Sequence, residues 1–125
     1  MTTAREVMTP GTAYLKDDAT VAEAARQLAD ATDGAVPVCD SEGHLRGMVT
    51  DRDLVAEVAA AGKLSGETRL IDLVRGEVVT VNADDEVEDA VATMRKHKVG
   101  RLPVVDGEKL VGMLSRADLP GGSVQ

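Results

Sequence analysis

Aromatic side chains are almost absent from this 125-residue chain: they make up 1% of it, Phe and Trp are missing, and Tyr14 stands alone. A hydrophobic core must therefore be built from Val, Leu, Ala and Met, and base stacking on aromatic rings, which many nucleic-acid modules use, is disfavoured. Basic residues are outnumbered, because 14 Lys and Arg face 22 Asp and Glu for a net charge of −8. Such a balance repels nucleic acid and anionic lipid, so we expect neither as a partner.

Cysteine and long apolar runs are scarce as well. Cys39 is the only cysteine, which excludes an internal disulfide and a multi-cysteine metal site. No apolar run approaches the roughly 18 residues of a membrane-spanning helix, and residues 1–10 lack the apolar centre of a signal peptide. His44 and His97 have no ligand spacing, and no phosphate-binding P-loop pattern occurs. The sequence therefore predicts a cytoplasmic protein without a metal site or catalytic residues.

What the chain does have is an internal repeat. A shift of 66 residues, which becomes 65 after one gap at a turn, superimposes the second half on the first. The matched pairs include Val21 with Val87, Gly34 with Gly100, Pro37 with Pro103, Gly47 with Gly112 and Asp53 with Asp118. Self-similarity over this length is the signature of a duplicated structural unit. We predict repeat 1 over residues 1–61, a linker over 62–69 and repeat 2 over 70–125.

Each repeat is predicted to fold as β-α-β-β-α. In repeat 1 the expected elements are a strand at 13–15, a helix at 20–31, strands at 36–39 and 45–50, and a last helix at 51–61. Thr20 with Glu23, and Asp85 with Glu88, are predicted to cap the first helix of each repeat. Pro120-Gly121-Gly122 should cut the last helix of repeat 2 to about one turn. The predicted class is α/β (α+β), with the two repeats packed sheet to sheet about a pseudo-twofold axis.

The motif Gly-x-x-[Ser/Thr]-x-x-Asp occurs once in each repeat, with Thr50 and Asp53 in the first and Ser115 and Asp118 in the second. Its spacing places the hydroxyl at a helix N-cap and the carboxylate in the first turn. One interpretation is that these residues only cap a helix. The other is that the carboxylate accepts hydrogen bonds from two vicinal hydroxyls of a ribose, while the helix start receives a phosphate.

Both repeats resemble cystathionine-β-synthase-type (CBS) domains, and the chain resembles a tandem CBS pair, or Bateman module. It is similar to the small stand-alone CBS-pair proteins, including those of the hypoxic-response type. The residues that carry the resemblance are Val7-Met8-Thr9-Pro10, Gly34-Ala35-Val36-Pro37-Val38, Gly47 to Leu54, Gly100 to Asp106 and Gly112 to Leu119.

This resemblance implies a regulatory or sensory module, not an enzyme, that forms a homodimer. The implied ligand contains adenosine (AMP, ADP, ATP, S-adenosylmethionine or NAD), lies in the clefts between the repeats, and acts as a regulator rather than a cofactor. Asp53 and Asp118 would bind the ribose. The strand edges that would flank the adenine are at Ala13, Val36, Pro37, Val79, Leu102 and Pro103.

Phosphate would be bound by Arg52, Arg101 and Arg116, with Lys98 and Arg46 as further candidates. Repeat 2 is then the more basic half-site, since repeat 1 has Asp51 at the position of Arg116. The alternative is a dimeric protein without a ligand whose role is to dock an unidentified protein partner.

Overall fold

The computed structural model describes residues 2–11, 13–29, 35–56, 62, 68–73 and 78–119. They belong to two compact units. The central unit is Ala13–Val78, and the terminal unit combines Met1–Thr12 with Val79–Gln125. Each unit has its own sheet with helices beside it, which confirms the predicted mixed α/β class.

The elements follow in chain order. They are α1 (Ala4–Val7), β1 (Thr9–Pro10), β2 (Leu15–Lys16), α2 (Val21–Ala29), β3 (Ala35–Cys39), β4 (Leu45–Thr50), α3 (Asp51–Leu54), β5 (Val81–Asn82), α4 (Val87–His97), β6 (Arg101–Asp106) and β7 (Lys109–Ser115), with 3₁₀ turns at Leu70–Asp72 and Arg116–Asp118. The predicted hairpins agree with β3–β4 and β6–β7. The predicted strand at 13–15 was misplaced, because its pairing starts only at Leu15.

The central unit contains a three-stranded sheet in the order β2-β3-β4, with β2 parallel and β4 antiparallel to β3. Helix α2 buries Val21, Ala24 and Leu28 in the core of this unit, as the helical spacing predicts. Ala25, which the same spacing assigns to this face, is exposed. The predicted cap is present at Thr20, whose Oγ1 accepts the backbone N–H of Glu23 at 3.2 Å. The predicted later parts of this helix and of the last helix, 30–31 and 57–61, lie outside the described residues.

The terminal unit has the strand order β1-β7-β6-β5, and β5 and β6 are parallel while the other neighbours are antiparallel. Helix α4 buries Val87, Ala90 and Met94. The predicted Asp85–Glu88 cap is wrong. Glu86 is the N-cap and makes no side-chain cap bond, and Asp85 Oδ2 instead accepts the backbone N–H of Asn82 at 3.1 Å, which closes the preceding turn.

Two short segments, 2–5 and 68–71, have equivalent positions at the start of the two main helices. We call them lead-in segments. Their backbone bonds correspond pairwise at a shift of 66 residues: Val87 N–H to Thr2 O and Val21 N–H to Thr68 O, Ala4 N–H to Asp85 O and Leu70 N–H to Ala19 O, Arg5 N–H to Ala83 O and Ile71 N–H to Asp17 O, all 2.8–2.9 Å. Each lead-in segment therefore packs against the helix of the other repeat, and the compact units do not coincide with the sequence repeats.

Candidate functional site

The Gly-x-x-[Ser/Thr]-x-x-Asp motif builds a reciprocal capping box in each unit. In the central unit, Thr50 N–H donates to Asp53 Oδ2 at 2.9 Å, and Asp53 N–H donates to Thr50 Oγ1 at 3.2 Å. In the terminal unit, Ser115 N–H and Oγ–H both donate to Asp118 Oδ2 at 3.1 Å. The structural interpretation of the motif is therefore present in the fold.

These capping boxes also hold each carboxylate in a fixed orientation. Asp53 and Asp118 are both half-buried, and the capping bonds use Oδ2 of each, so Oδ1 lies outside the box. An acceptor whose rotation is already restricted loses little further entropy when it binds a hydroxyl. The same residues can therefore serve as a cap and as a preorganised acceptor.

A proline in β3 and another in β6 directly precede the residue at which each parallel pairing starts. The β2–β3 pairing starts at Leu15 and Val38, one residue after Pro37. The β5–β6 pairing starts at Val81 and Val104, one residue after Pro103. Because proline has no N–H, it cannot extend the ladder further towards the strand's beginning. Ala13 and Val79, which precede β2 and β5, therefore lie outside the parallel ladders of the described residues.

The apolar candidates differ in what they can offer to a ligand. Val36 and Leu102 are buried in the hydrophobic cores of their units, so only their backbone groups are available. Pro37 and Pro103 are buried as well. Ala13 is exposed, and Val79 packs partly against the terminal core. Thr12, another residue of this strand edge, lies outside the described residues.

Two arginines border the capping box of the terminal unit. Arg101 lies opposite Ser115 in the β6–β7 ladder. Arg116 follows Ser115, its backbone N–H donates to Gly100 O at 3.1 Å, and its Nε is 3.8 Å from the position that a Cβ on Gly100 would take. Sequence reasoning did not single out this contact between Gly100 and Arg116, although the match of Gly100 with Gly34 in the repeat was a signal.

The equivalent positions of the central unit have the opposite character. Ala35 lies opposite Thr50 in the β3–β4 ladder, where Arg101 stands in the terminal unit. Asp51 follows Thr50, and both Asp51 and the next residue, Arg52, are exposed. Arg46 lies four residues before Thr50 on β4, about 13 Å along the strand. The structure therefore brings the basic candidates together only around Ser115, within the part of the chain that it describes.

The described residues contain no group of three or more His, Cys, Asp and Glu that could hold a metal ion. Cys39 is fully buried, and this burial, with a smaller contribution from Asp40 and Asp17, raises the pKa of its thiol to about 11. The thiol is therefore protonated near neutral pH and packs as a small hydrophobic side chain. None of the described helices is long and apolar enough to cross a membrane.

The CBS domain family model matches this chain twice, over residues 4–60 and 70–119. The chain belongs to the CBS domain family. It is 34% identical over 119 residues to Hypoxic response protein 1 of Mycobacterium tuberculosis, covering 95% of this chain and 83% of that protein. The family prediction made from the sequence is confirmed.

Solved structures agree with this assignment. Hypoxic Response Protein I with two coordinated zinc ions superposes with a TM-score of 0.85 at 34% identity, over 94% of this chain and 96% of that chain. CBSX2 in complex with AMP superposes with a TM-score of 0.79 at 28% identity, over 94% and 93%. The cytosolic domain of the Mg²⁺ channel MgtE in complex with ATP gives 0.77 at 29% identity, over 94% of this chain and 47% of that chain.

Proposed function

We propose that this chain is a regulatory or sensory CBS pair that binds an adenosine-containing ligand, with its principal phosphate-binding half-site in the terminal unit. The observation that supports this most directly is the Asp118 carboxylate, held by Ser115 and bordered by Arg101 and Arg116. A ribose presents two vicinal hydroxyls that need an acceptor. A 5′-phosphate needs cations nearby, and arginine suits phosphate by its planar set of donors.

The class of ligand is supported by the relatives. The similar CBSX2 binds AMP and the MgtE domain binds ATP. In this chain the adenine would lie along the backbone edges at Val79 and at Leu102-Pro103, where the parallel pairing has not begun. Because the chain has no Phe or Trp, the base would lack aromatic stacking, which is worth about 1–3 kcal/mol where it occurs. We therefore expect moderate affinity, with AMP, ADP, ATP, S-adenosylmethionine and NAD as the compounds to screen.

We further propose that the protein acts in the cytoplasm as a homodimer and has no catalytic role. The dimer is supported by Val55, whose side chain is 63% exposed at the end of α3. In the family that the chain resembles, the corresponding helices help two CBS pairs to meet face to face.

The ribose role of Asp118 can be tested by calorimetric titration of AMP and 2′-deoxy-AMP into the wild type and into Asp118→Asn. The amide keeps one oxygen acceptor for the Ser115 cap but loses the charge and the second acceptor. Hydrogen bonds to charged groups are worth about 1.5–3 kcal/mol, so we expect AMP affinity to fall roughly 10- to 150-fold. The 2′-deoxy compound should bind the wild type more weakly than AMP.

Glu88→Gln is the matched control, because Glu88 is exposed on the first turn of α4 and loses the same charge. It should bind AMP as the wild type does. Equal AMP binding by the wild type and Asp118→Asn would refute the ribose role.

The alternative function, a dimer that docks a protein partner without any nucleotide, is favoured by one observation: each motif carboxylate already has a structural task in its capping box. A thermal-shift screen separates the two functions. A ligand that binds only the folded state stabilises it by about 2.7 kcal/mol at a hundredfold excess over its Kd. If no adenosine compound at millimolar concentration moves the melting transition, the docking function is the better proposal.

A further inference from the structure

The two motif half-sites are alike in backbone geometry and opposite in charge. In each half-site the hydroxyl residue lies opposite the first residue of the neighbouring strand. Thr50 lies opposite Ala35 of β3, and Ser115 lies opposite Arg101 of β6. Each has its carboxylate three residues later, in the same capping box. The duplication thus offers an internal comparison in which the scaffold is constant and the charges differ.

The charge difference is concentrated at the ladder partner and at the two residues between the hydroxyl and the carboxylate. In the terminal unit, Arg101 and Arg116 accompany the single carboxylate of Asp118, and residue 117 is Ala. In the central unit, Asp51 joins Asp53, with Arg52 as the one cation and Ala35 in place of Arg101. The terminal half-site therefore has two cations and one carboxylate, whereas the central half-site has one cation and two carboxylates.

Residues 51 and 116 hold equivalent positions, so their side chains start from the same place in each half-site. Asp51 and Arg116 are both exposed and both follow the N-cap residue directly. A ligand whose ribose is bound by the motif carboxylate would extend its 5′ substituent along this region. A phosphate dianion there is attracted by Arg116 and repelled by Asp51, whereas an uncharged 5′ substituent feels neither strongly.

We propose that residues 51 and 116 determine ligand charge, so that the terminal half-site takes a 5′-phosphorylated adenosine ligand and the central half-site takes an adenosine ligand without phosphate. This inference rests on the proposed function, because it divides the adenosine ligands between two half-sites. The inference goes beyond the proposed function because it predicts that the two half-sites bind different ligands.

The test is calorimetric titration of adenosine and AMP, as separate probes, into the full chain. We expect adenosine to bind two half-sites with similar affinity and AMP to bind one tightly. Arg116→Gln should lower AMP affinity roughly 10- to 150-fold, the range for losing a charged hydrogen bond, and leave adenosine affinity unchanged. Arg95→Gln, which removes an exposed arginine from the end of α4, is the matched control and should leave both affinities unchanged.

The central half-site is tested in an Asp118→Asn background, where AMP binding to the terminal half-site is weakened roughly 10- to 150-fold. Adding Asp51→Asn should raise AMP affinity several-fold while adenosine affinity stays the same. Glu23→Gln, which removes an exposed carboxylate from α2 of the same unit, is the control and should change neither affinity.

The possible failures are distinguishable. If neither adenosine nor AMP binds the wild type, the proposed function fails and this inference falls with it. If adenosine binds but Arg116→Gln leaves the ratio of AMP to adenosine affinity unchanged, only the assignment of ligand charge is overturned. AMP binding with equal affinity to two half-sites in the wild type would overturn it as well.

Discussion

Gly112 is the residue at which strand β1 closes against β7. A Cβ at this position would lie 2.6 Å from the Thr9 backbone oxygen and 2.6 Å from Met8 Sδ. The methionine could rotate away, but the carbonyl oxygen belongs to the strand that pairs there, since Pro10 lies opposite Gly112 and Thr9 opposite Met113. Any side chain at this position must therefore displace β1 from the sheet of the terminal unit.

We predict that Gly112→Ala lowers the free energy of unfolding by about 1–3 kcal/mol, the usual cost of overpacking. Urea denaturation measures the change. Gly100→Ala is the matched control, because its Cβ would meet only Arg116, at 3.8 Å or more. It should be neutral or slightly stabilising. Equal stability of the two variants would show that β1 does not need the close approach at Gly112.

The raised pKa of Cys39 predicts a loss of stability at alkaline pH. The folded-state pKa of about 11 exceeds the ordinary value of 9.0, so the unfolded chain releases the thiol proton at lower pH than the folded protein. The stabilisation linked to this group is fully present below pH 9 and is lost as the pH rises through about 11. Urea unfolding at pH 8 and near pH 11 measures it.

Cys39→Ala is the control for this pH dependence. All other groups are the same in both proteins, so the thiol's share is the difference in pH dependence between the wild type and the variant. If both lose the same stability between the two pH values, the Cys39 thiol does not have its shifted pKa.

At the scale of secondary structure elements, the lead-in segments make contacts between residues that are far apart in the chain. Each lead-in segment bonds to the chain at the start of the main helix of the other repeat. Leu70 of the second lead-in is completely buried and belongs to the core of the central unit. Ala4, at the equivalent position in the first lead-in, is completely buried in the core of the terminal unit. The lead-in segments therefore contribute to the hydrophobic cores and do more than connect the repeats.

We predict that Leu70→Ala destabilises the protein by about 2–5 kcal/mol, the range for truncating a buried leucine. Ile71→Ala removes a side chain of similar size from the next position, which is 41% exposed. Its cost should be below about 1 kcal/mol. Urea denaturation of both variants provides the comparison, and a small effect of Leu70→Ala would mean that the lead-in segment is not part of the core.

The elements that the sequence predicted well are those encoded by local patterns. The β3–β4 and β6–β7 hairpins follow from turn residues between apolar runs, and the buried faces of α2 and α4 follow from helical spacing. The pairing of β1 with β7 was not predicted, because Thr9 and Met113 are far apart in the chain and no local pattern links them.

A clue to the lead-in segments was nevertheless present in the repeat. The shift of 66 residues also matches Thr2 with Thr68, Glu6 with Asp72 and Val7 with Leu73. These matches extend the repeat upstream of its first strand and into the predicted linker. For the candidate site, the capping box was readable from the motif spacing, whereas the position of Arg116 against Gly100 depends on how the strands end and is visible only in three dimensions.

At the scale of the whole molecule, the acidic charge and the exposed apolar side chains bear on association. A net charge of −8 favours solubility and opposes contact between copies, so a dimer needs apolar burial to overcome this repulsion. Val55 is the most exposed of the large hydrophobic side chains among the described residues, at 63%. A twofold interface places the same patch on both subunits, and a single substitution therefore acts twice.

We predict a homodimer of about 26 kDa, twice the 13.1 kDa chain, in light scattering coupled to gel filtration at tens of micromolar protein. Val55→Glu should shift the protein to the monomer mass, because two new carboxylates would meet in an apolar contact within an already acidic molecule. Gln27→Glu adds the same charge at an exposed position on α2 and should leave the dimer intact. A monomer in the wild type would remove the dimer from the proposal, and a dimer that persists in Val55→Glu would place the interface on another surface.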